Sequence, residues 1–177
     1  MYTILQMKRT TLATLLTVGL GCLSSGCHVG KHNPENFPIF TELSREDAGH
    51  LDKQRGLVAV TAKERYGAPS LTKTNEDLVI LQRLIDDQAF RKSQTYELQC
   101  LGVAFGDVLA NEYPLRWMMV TDEYGTDPTL RYKDMPLQIN ALTMISKRVE
   151  RGEPVNLLQL LRITGEQLAR FEREWHK

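Results

Sequence analysis

The sequence lacks the motifs of the common catalytic and nucleotide-binding sites. It contains no G-x-S-x-G, H-E-x-x-H or G-x-x-x-x-G-K. Histidine and cysteine are scarce, with 4 and 3 residues. The histidines are His28, His32, His50 and His176, all outside the central part of the chain, and no spaced carboxylate loop supplies the ligands of a calcium site. We therefore predict no catalytic residue, no metal and no cofactor. A binding protein is the favoured class, and an enzyme such as a hydrolase is the weaker alternative.

An excess of charge of either sign is also missing. Lysine plus arginine and aspartate plus glutamate both number 22, so the formal net charge is 0. A nucleic-acid-binding protein needs a basic stripe to neutralise phosphates. The balanced composition argues against such a stripe and against a polybasic membrane patch, so we expect no nucleic-acid partner.

The apolar run near the N-terminus is too short to span a bilayer. It extends from Leu12 to Leu23, about a dozen residues, and a spanning helix needs about 20. Two basic residues precede the run and small residues follow it up to Cys27, which is typical of a secretory signal. We predict a signal peptide at residues 1–26, with Met1 and Met7 both possible as the start.

Cys27 ends a segment, LSSGC, that resembles a bacterial lipobox, although Leu23 lies one place further from the cysteine than is usual. In such proteins the cysteine is acylated and becomes the mature N-terminus, and an anchor of several acyl chains holds a membrane well. We predict lipid attachment at Cys27 and a position at the envelope, facing the periplasm. His28 in place of aspartate resembles an outer-membrane address. The alternatives are ordinary signal-peptidase cleavage or a segment that stays uncut.

The remaining chain divides into a tether and one domain. Residues 27–43 contain Pro34 and Pro38 without an apolar period, which predicts a tether. Residues 44–177 are predicted to form a single domain. Ser44 caps its first helix and Asn156 its last, in which Thr164-Gly-Glu-Gln167 has the form of a capping box and predicts a kink or restart.

The stretch from residue 97 to 132 has the clearest periodicity. Apolar residues from Leu98 to Leu109 follow the spacing of a buried helix. Gly102 and Gly106 lie four apart on one stripe, and each costs about 1 kcal/mol relative to alanine inside a helix. We expect a compensating close approach of another backbone or of a bulky ring such as Trp117.

A β-hairpin is predicted after this helix. The segment from Leu115 to Thr121 favours a strand, a turn surrounds Gly125, and Thr129–Tyr132 forms the returning strand. Residues 135–139 add a short third strand. The predicted fold class is therefore α+β, with helices packed around a small antiparallel hairpin or three-stranded sheet.

Several segments of this stretch, and one that follows it, resemble a bacterial family catalogued as domain of unknown function 3806. They are LQCLGVAFGDVLANE, the Trp117 strand, DEYGTDPTLRY and MISKRVERGEP. The resemblance covers Leu78 to Leu168, and its most specific part is the W-x-x-V-x-D-E-x-G block that ends at Gly125. It implies a small α+β domain, often exported in bacteria, and it assigns no catalytic or binding residue.

The hairpin supplies the candidates for partner binding, which are Trp117, Asp122, Glu123 and Tyr124. Tryptophan is enriched at binding hot spots, although the competing interpretation packs Trp117 on the glycine stripe. Acidic residues of the central stretch offer in principle a catalytic carboxylate pair: Glu97, Asp107, Glu112, Asp122, Glu123 and Asp127. Turn chemistry explains the acidic residues of the hairpin equally well. Cys100 lies on an apolar helix, and we predict that it is a small buried packing group.

These features together predict a lipid-anchored periplasmic binding or inhibitory protein without catalytic activity. One form of this function is an immunity protein against a secreted effector. The alternative is an envelope-maintenance lipoprotein with a structural partner. In either case we expect a membrane link through the lipid and a protein partner.

Overall fold

The computed structural model describes residues 38–122 and 125–175. It has the predicted α+β architecture, with helices packed on a four-stranded antiparallel sheet. The elements in chain order are β1 (Ile39–Thr41), α1 (Arg45–Tyr66), α2 (Asp77–Asp86), α3 (Thr95–Glu112), β2 (Leu115–Asp122), β3 (Gly125–Tyr132), β4 (Gln138–Ile139), α4 (Ala141–Met144), α5 (Ser146–Arg151) and α6 (Leu157–Trp175).

Helix α3 is the centre of the packing. Leu98 and every residue from Cys100 to Leu109 are buried, as the apolar periodicity predicts. The helix contacts α1, α2, α4, α5 and β2. Burial on all sides explains why this segment contains so few charged residues.

The sheet has the strand order β1-β2-β3-β4. The predicted hairpin forms, with Leu115 paired to Tyr132 at one end and Asp122 to Gly125 at the other. Strand β4 is the predicted third strand, reduced to two residues.

Strand β1 corrects the predicted tether. Ile39–Thr41 pairs with β2, and the side chain of Phe40 lies 4.7 Å from the Arg131 guanidinium. Backbone pairing to the edge of an existing strand needs no apolar period, which is why three residues after a proline gave no signal. The sheet therefore begins at residue 39, inside the segment predicted as tether.

The two glycines of α3 have different neighbours. A Cβ atom on Gly106 would lie 2.5 Å from Cζ2 of Trp117, whereas one on Gly102 would lie 2.5 Å from the carbonyl oxygens of Ala141 and Leu142. Both predicted forms of compensation thus occur, a ring at Gly106 and a second backbone at Gly102. The indole covers only the first of them.

Helix α6 corrects a local prediction. It runs without interruption from Leu157 to Trp175, so the predicted kink near residue 164 is wrong. Thr164 is completely buried, and Gly165 lies against the ring of Tyr113, whose hydroxyl donates to the Leu161 carbonyl at 3.0 Å. These tertiary contacts override the capping-box pattern. The Ser44 cap, by contrast, is confirmed.

Within the described residues, no helix combines the length and apolarity that crossing a membrane requires. The predicted signal peptide, Cys27 and most of the predicted tether lie outside those residues.

Candidate functional site

Trp117 lies half-buried between β2 and α3. Its ring contacts Gly106, and its Nε1 donates a hydrogen bond to Oδ1 of Asp107 at 2.9 Å. Both the apolar ring and the polar N–H are therefore used inside the molecule. This placement favours the packing interpretation of Trp117 over an exposed anchor for a partner.

A partly buried ion pair lies beside the indole. Nε and Nη2 of Arg55, on α1, donate to the two carboxylate oxygens of Asp107 at 2.6 and 2.7 Å, a bidentate arrangement. Asp52 accepts a third bond from Nη1 at 2.8 Å. The hydrogen bond to Asp107 raises the pKa of Arg55, so the guanidinium is charged. The pair joins α1 to α3 and holds the acceptor of Trp117 in place.

The sequence gives no signal that identifies Arg55 as part of this site. It lies 52 positions before Asp107 and on a different helix, so no local spacing connects the two. Asp107 itself appears among the acidic candidates, but its carboxylate serves this pair rather than a carboxylate dyad.

The end of the hairpin carries the other candidates for partner binding. Asp122 ends β2 and faces Gly125, whose φ of 133° favours glycine. The hydroxyl groups of Thr121 and Thr126 hydrogen-bond across the strands at 2.9 Å, which joins the strand ends. Glu123 and Tyr124 lie outside the described residues, so Asp122 is the member of this turn that has a described position.

A cleft of about 430 Å³ lies beside the hairpin end, and we call it the hairpin cleft. It is bounded by the hairpin, by α3 and by the segment from β4 to α5. Its lining consists of Gln99, Val120, Asp122, Gly125, Asp127, Pro128, Asn140, Leu142, Thr143 and Lys147. This volume falls within the range of about 300–1,000 Å³ that is typical of ligand pockets.

The elements around the hairpin cleft coincide with a family match. Residues 77–160 match the family model described as Domain of unknown function (DUF3806). The DUF3806 region extends from α2 into α6 and contains Asp107, Trp117 and the whole hairpin cleft, but not Arg55. Over these residues the match supports the resemblance predicted from the sequence, and it ends at residue 160 rather than at Leu168.

One solved structure similar to this chain is a crystal structure from Bacteroides thetaiotaomicron VPI-5482 at 1.50 Å resolution. The TM-score is 0.64 at 19% sequence identity, and the similar region covers 75% of this chain and 49% of that chain. This chain therefore spans about half the length of the Bacteroides protein, and at this identity the likeness concerns the fold alone. A comparison with curated proteins finds no match.

Cys100 of the DUF3806 region is completely buried, as predicted. Burial, and then the nearby carboxylate of Glu97, raises the pKa of its thiol to about 11. Because the thiolate is the reactive form of cysteine, this environment opposes nucleophilic chemistry near neutral pH.

The acidic residues separate into different environments. Asp107 is engaged with Arg55, whereas Asp122 and Asp127 line the hairpin cleft together with Lys147. In the part of the chain that the structure describes, no group of three or more His, Cys, Asp or Glu side chains is placed to hold a metal ion. The arrangement at the cleft offers charged and amide groups for recognition.

Proposed function

We propose that this protein is a non-catalytic binding protein of the bacterial envelope, held there by a lipid on Cys27. Its partner-binding surface in this proposal is the hairpin cleft. The observation that carries the proposal is the position of Asp122, a predicted partner-binding residue, in the lining of a cleft of about 430 Å³.

The lining combines apolar and polar groups in the way that recognition sites do. Val120, Pro128 and Leu142 supply apolar surface, and the charged residues around them are two carboxylates and one ammonium group. A few polar groups around an apolar surface fix the orientation of a bound group, while the apolar contacts supply binding energy. Such a cleft suits one anchoring side chain of a protein partner, with a basic or amide end.

The walls of the hairpin cleft are held by close contacts. At Gly102 the backbone of α3 approaches α4 so closely that a Cβ atom would lie 2.5 Å from the Leu142 carbonyl oxygen. On the sheet side, the Thr129 hydroxyl donates to the Ile139 carbonyl at 3.0 Å and contacts Oδ1 of Asn140 at 3.1 Å. A cleft with fixed walls binds with a smaller loss of conformational entropy.

Two features of the described residues support binding rather than catalysis. Cys100 is buried with a raised thiol pKa. His50 is exposed on α1 and does not line the cleft. A general base and a nucleophile within mutual reach are what covalent catalysis requires, and neither residue provides this at the hairpin cleft.

The class of partner follows from the predicted location. A small anchored protein that faces the periplasm can meet secreted proteins and envelope proteins. We propose a secreted effector as the partner, with this chain as its inhibitor, and a structural envelope partner is the competing identity.

The experiment is site-specific photo-cross-linking with the full-length chain in cells that make it. A photoreactive phenylalanine derivative replaces Asp127, which is exposed at the cleft, or Glu64, which is exposed on α1. We expect a protein adduct from position 127 and none from position 64. Equal adducts from both positions, or an adduct from position 64 alone, would contradict the proposal. Mass spectrometry of the adduct then distinguishes an effector from an envelope component.

A further inference from the structure

A second cleft lies between α1, α3 and the connection from α1 to α2, and we call it the Arg55 cleft. Its volume is about 170 Å³, and it is lined by Arg55, Gly56, Ala59, Ser70, Leu71, Lys73, Asp77, Ala104 and Asp107. It is distinct from the hairpin cleft, because the two clefts share no lining residue. On α3 the nearest lining residues of the two clefts are Gln99 and Ala104, five positions or about 7.5 Å apart along the helix axis. Small residues at the helical positions facing it leave this space open.

No neighbouring atom is so close to Gly56 that it would exclude a side chain at this position. A Cβ atom there would meet nothing within 4 Å, whereas one on Gly102 would collide with a backbone. Glycine inside a helix is less stable than alanine, so α1 carries an unfavourable residue with no packing demand where the Arg55 cleft opens. Gly49 on the same helix is equally unconstrained. It lies outside the cleft and is therefore a matched control.

Lys73 is held at the cleft in a strained backbone conformation. Its φ of 63° lies in the left-handed region, which is unfavourable for a residue with a side chain. The carboxylate of Asp77, buried at the start of α2, accepts the backbone N–H groups of Thr72 at 2.9 Å and of Lys73 at 2.8 Å. The connection is thereby fixed with Lys73 in the cleft lining.

The two carboxylates of the Arg55 cleft are already used by the protein. Both oxygens of Asp107 accept from Arg55, and both oxygens of Asp77 accept from the connection. Three of the five N–H groups of Arg55 make the bonds described above. Within the described residues, the side-chain donors of the lining that remain for a ligand are the ammonium group of Lys73, the Ser70 hydroxyl and the other N–H groups of Arg55.

We propose that the Arg55 cleft binds a small organic carboxylate with a compact apolar body. The carboxylate lies between Lys73 and Arg55, where an anion gains charge-assisted hydrogen bonds. The apolar body lies against Gly56, Ala59 and Ala104. This site is independent of the partner-binding function proposed for the hairpin cleft.

The test uses the purified full-length chain and a panel of propionate, isovalerate and benzoate, with isovaleramide as the uncharged match of isovalerate. Binding is followed by two-dimensional NMR of the backbone amides. We expect saturable shifts around residues 56–59 and 104, with at least one carboxylate binding about tenfold or more tightly than isovaleramide. Gly56→Leu fills the cleft and should abolish the shifts, whereas Gly49→Leu should retain them.

Lys73→Gln keeps the proposal testable if Gly56→Leu fails to fold. Lys73 is exposed, and the substitution removes its ammonium group. It should therefore weaken carboxylate binding about tenfold or more. The proposal is overturned if no panel member gives saturable shifts at millimolar concentrations, or if isovaleramide binds as tightly as isovalerate. Unchanged binding in folded Gly56→Leu or in Lys73→Gln has the same consequence.

Discussion

At the scale of single residues, the contacts among Arg55, Asp107 and Trp117 connect α1, α3 and β2. Asp107 is only 7% exposed, and its carboxylate accepts bonds from both of the other side chains. Removal of one partner from a buried charged network leaves a charge without compensation, which costs more than an ordinary hydrogen bond. Each of these side chains therefore contributes to stability through its neighbours.

Trp117→Ala should lower the free energy of unfolding by about 3–5 kcal/mol, because it removes a large ring from Gly106 and α3. Trp117→Phe retains most of the ring and loses the bond to Asp107, so about 1–3 kcal/mol is expected. Urea denaturation measures both changes.

The second tryptophan supplies the control. Trp175 is 52% exposed and stacks on Phe171, so Trp175→Ala should cost no more than about 1.5 kcal/mol. If Trp117→Ala unfolds at the wild-type urea concentration, the packing role of Trp117 is refuted.

Cys100 should react slowly with alkylating reagents in the folded protein. With a thiol pKa of about 11 instead of 9.0, the thiolate fraction at pH 8 is about a hundredfold smaller than in the unfolded chain. Iodoacetamide labelling of Cys100 with and without urea measures the combined effect of burial and of the smaller thiolate fraction. Fast labelling of Cys100 in the native protein near neutral pH would indicate an accessible thiol with a lowered pKa and would support an enzymatic role.

The same shift predicts a pH dependence of stability. Below pH 9.0 the thiol is protonated in both states, and between pH 9.0 and about 11 the unfolded state loses the proton first. Stability relative to Cys100→Ala should therefore fall as the pH rises through this window. A constant difference between the two proteins from pH 8 to 11 would contradict the assignment.

At the scale of elements, the glycines of α1 and α3 have opposite roles. Gly49→Ala should stabilise the protein by about 0.5–1 kcal/mol, since its Cβ meets nothing and alanine favours a helix. Gly102→Ala should destabilise it by about 1–3 kcal/mol, because α3 and α4 must separate. Thermal melting of the two variants measures the difference, and a stabilised Gly102→Ala would refute the close approach.

The elements that were predicted correctly have local signals. Ser44 and Asp47 form the capping box that begins α1, and turn residues separate β2 from β3. Strand β1 and the continuity of α6 were not predictable in this way. Pairing of Ile39–Thr41 to β2 and contact of Gly165 with Tyr113 join residues far apart in the chain.

The residues of the candidate site likewise divide into those with a local sequence signal and those brought together by long-range contacts. Asp122 and the hairpin turn were identified from turn chemistry, and Trp117 from its position after a glycine-containing helix. The remaining walls of the hairpin cleft come from α3, α4 and α5, which converge only in the folded protein. The spacing of residues within one segment cannot predict which separate segments come together in the fold.

At the scale of the whole molecule, the proposed lipid anchor on Cys27 would determine where the domain acts. Cys27→Ser should abolish incorporation of labelled fatty acid and move the protein from the membrane fraction to the soluble fraction, because the thiol is the proposed attachment point. Cys22→Ser in the predicted signal peptide is the matched control and should leave both properties unchanged. If the Cys27→Ser protein still incorporates labelled fatty acid and still sediments with membranes, the predicted anchor at Cys27 is wrong.

The most direct test of the proposed function is the affinity of the cross-linked partner for three proteins, measured by titration calorimetry. These are the wild type, Asp127→Lys at the hairpin cleft and Glu64→Lys on α1. Both substitutions reverse one exposed charge, so both variants should melt like the wild type. We predict that Asp127→Lys weakens binding about tenfold or more, or about 1.4 kcal/mol, and that Glu64→Lys binds normally. Wild-type affinity in Asp127→Lys would show that the partner binds elsewhere.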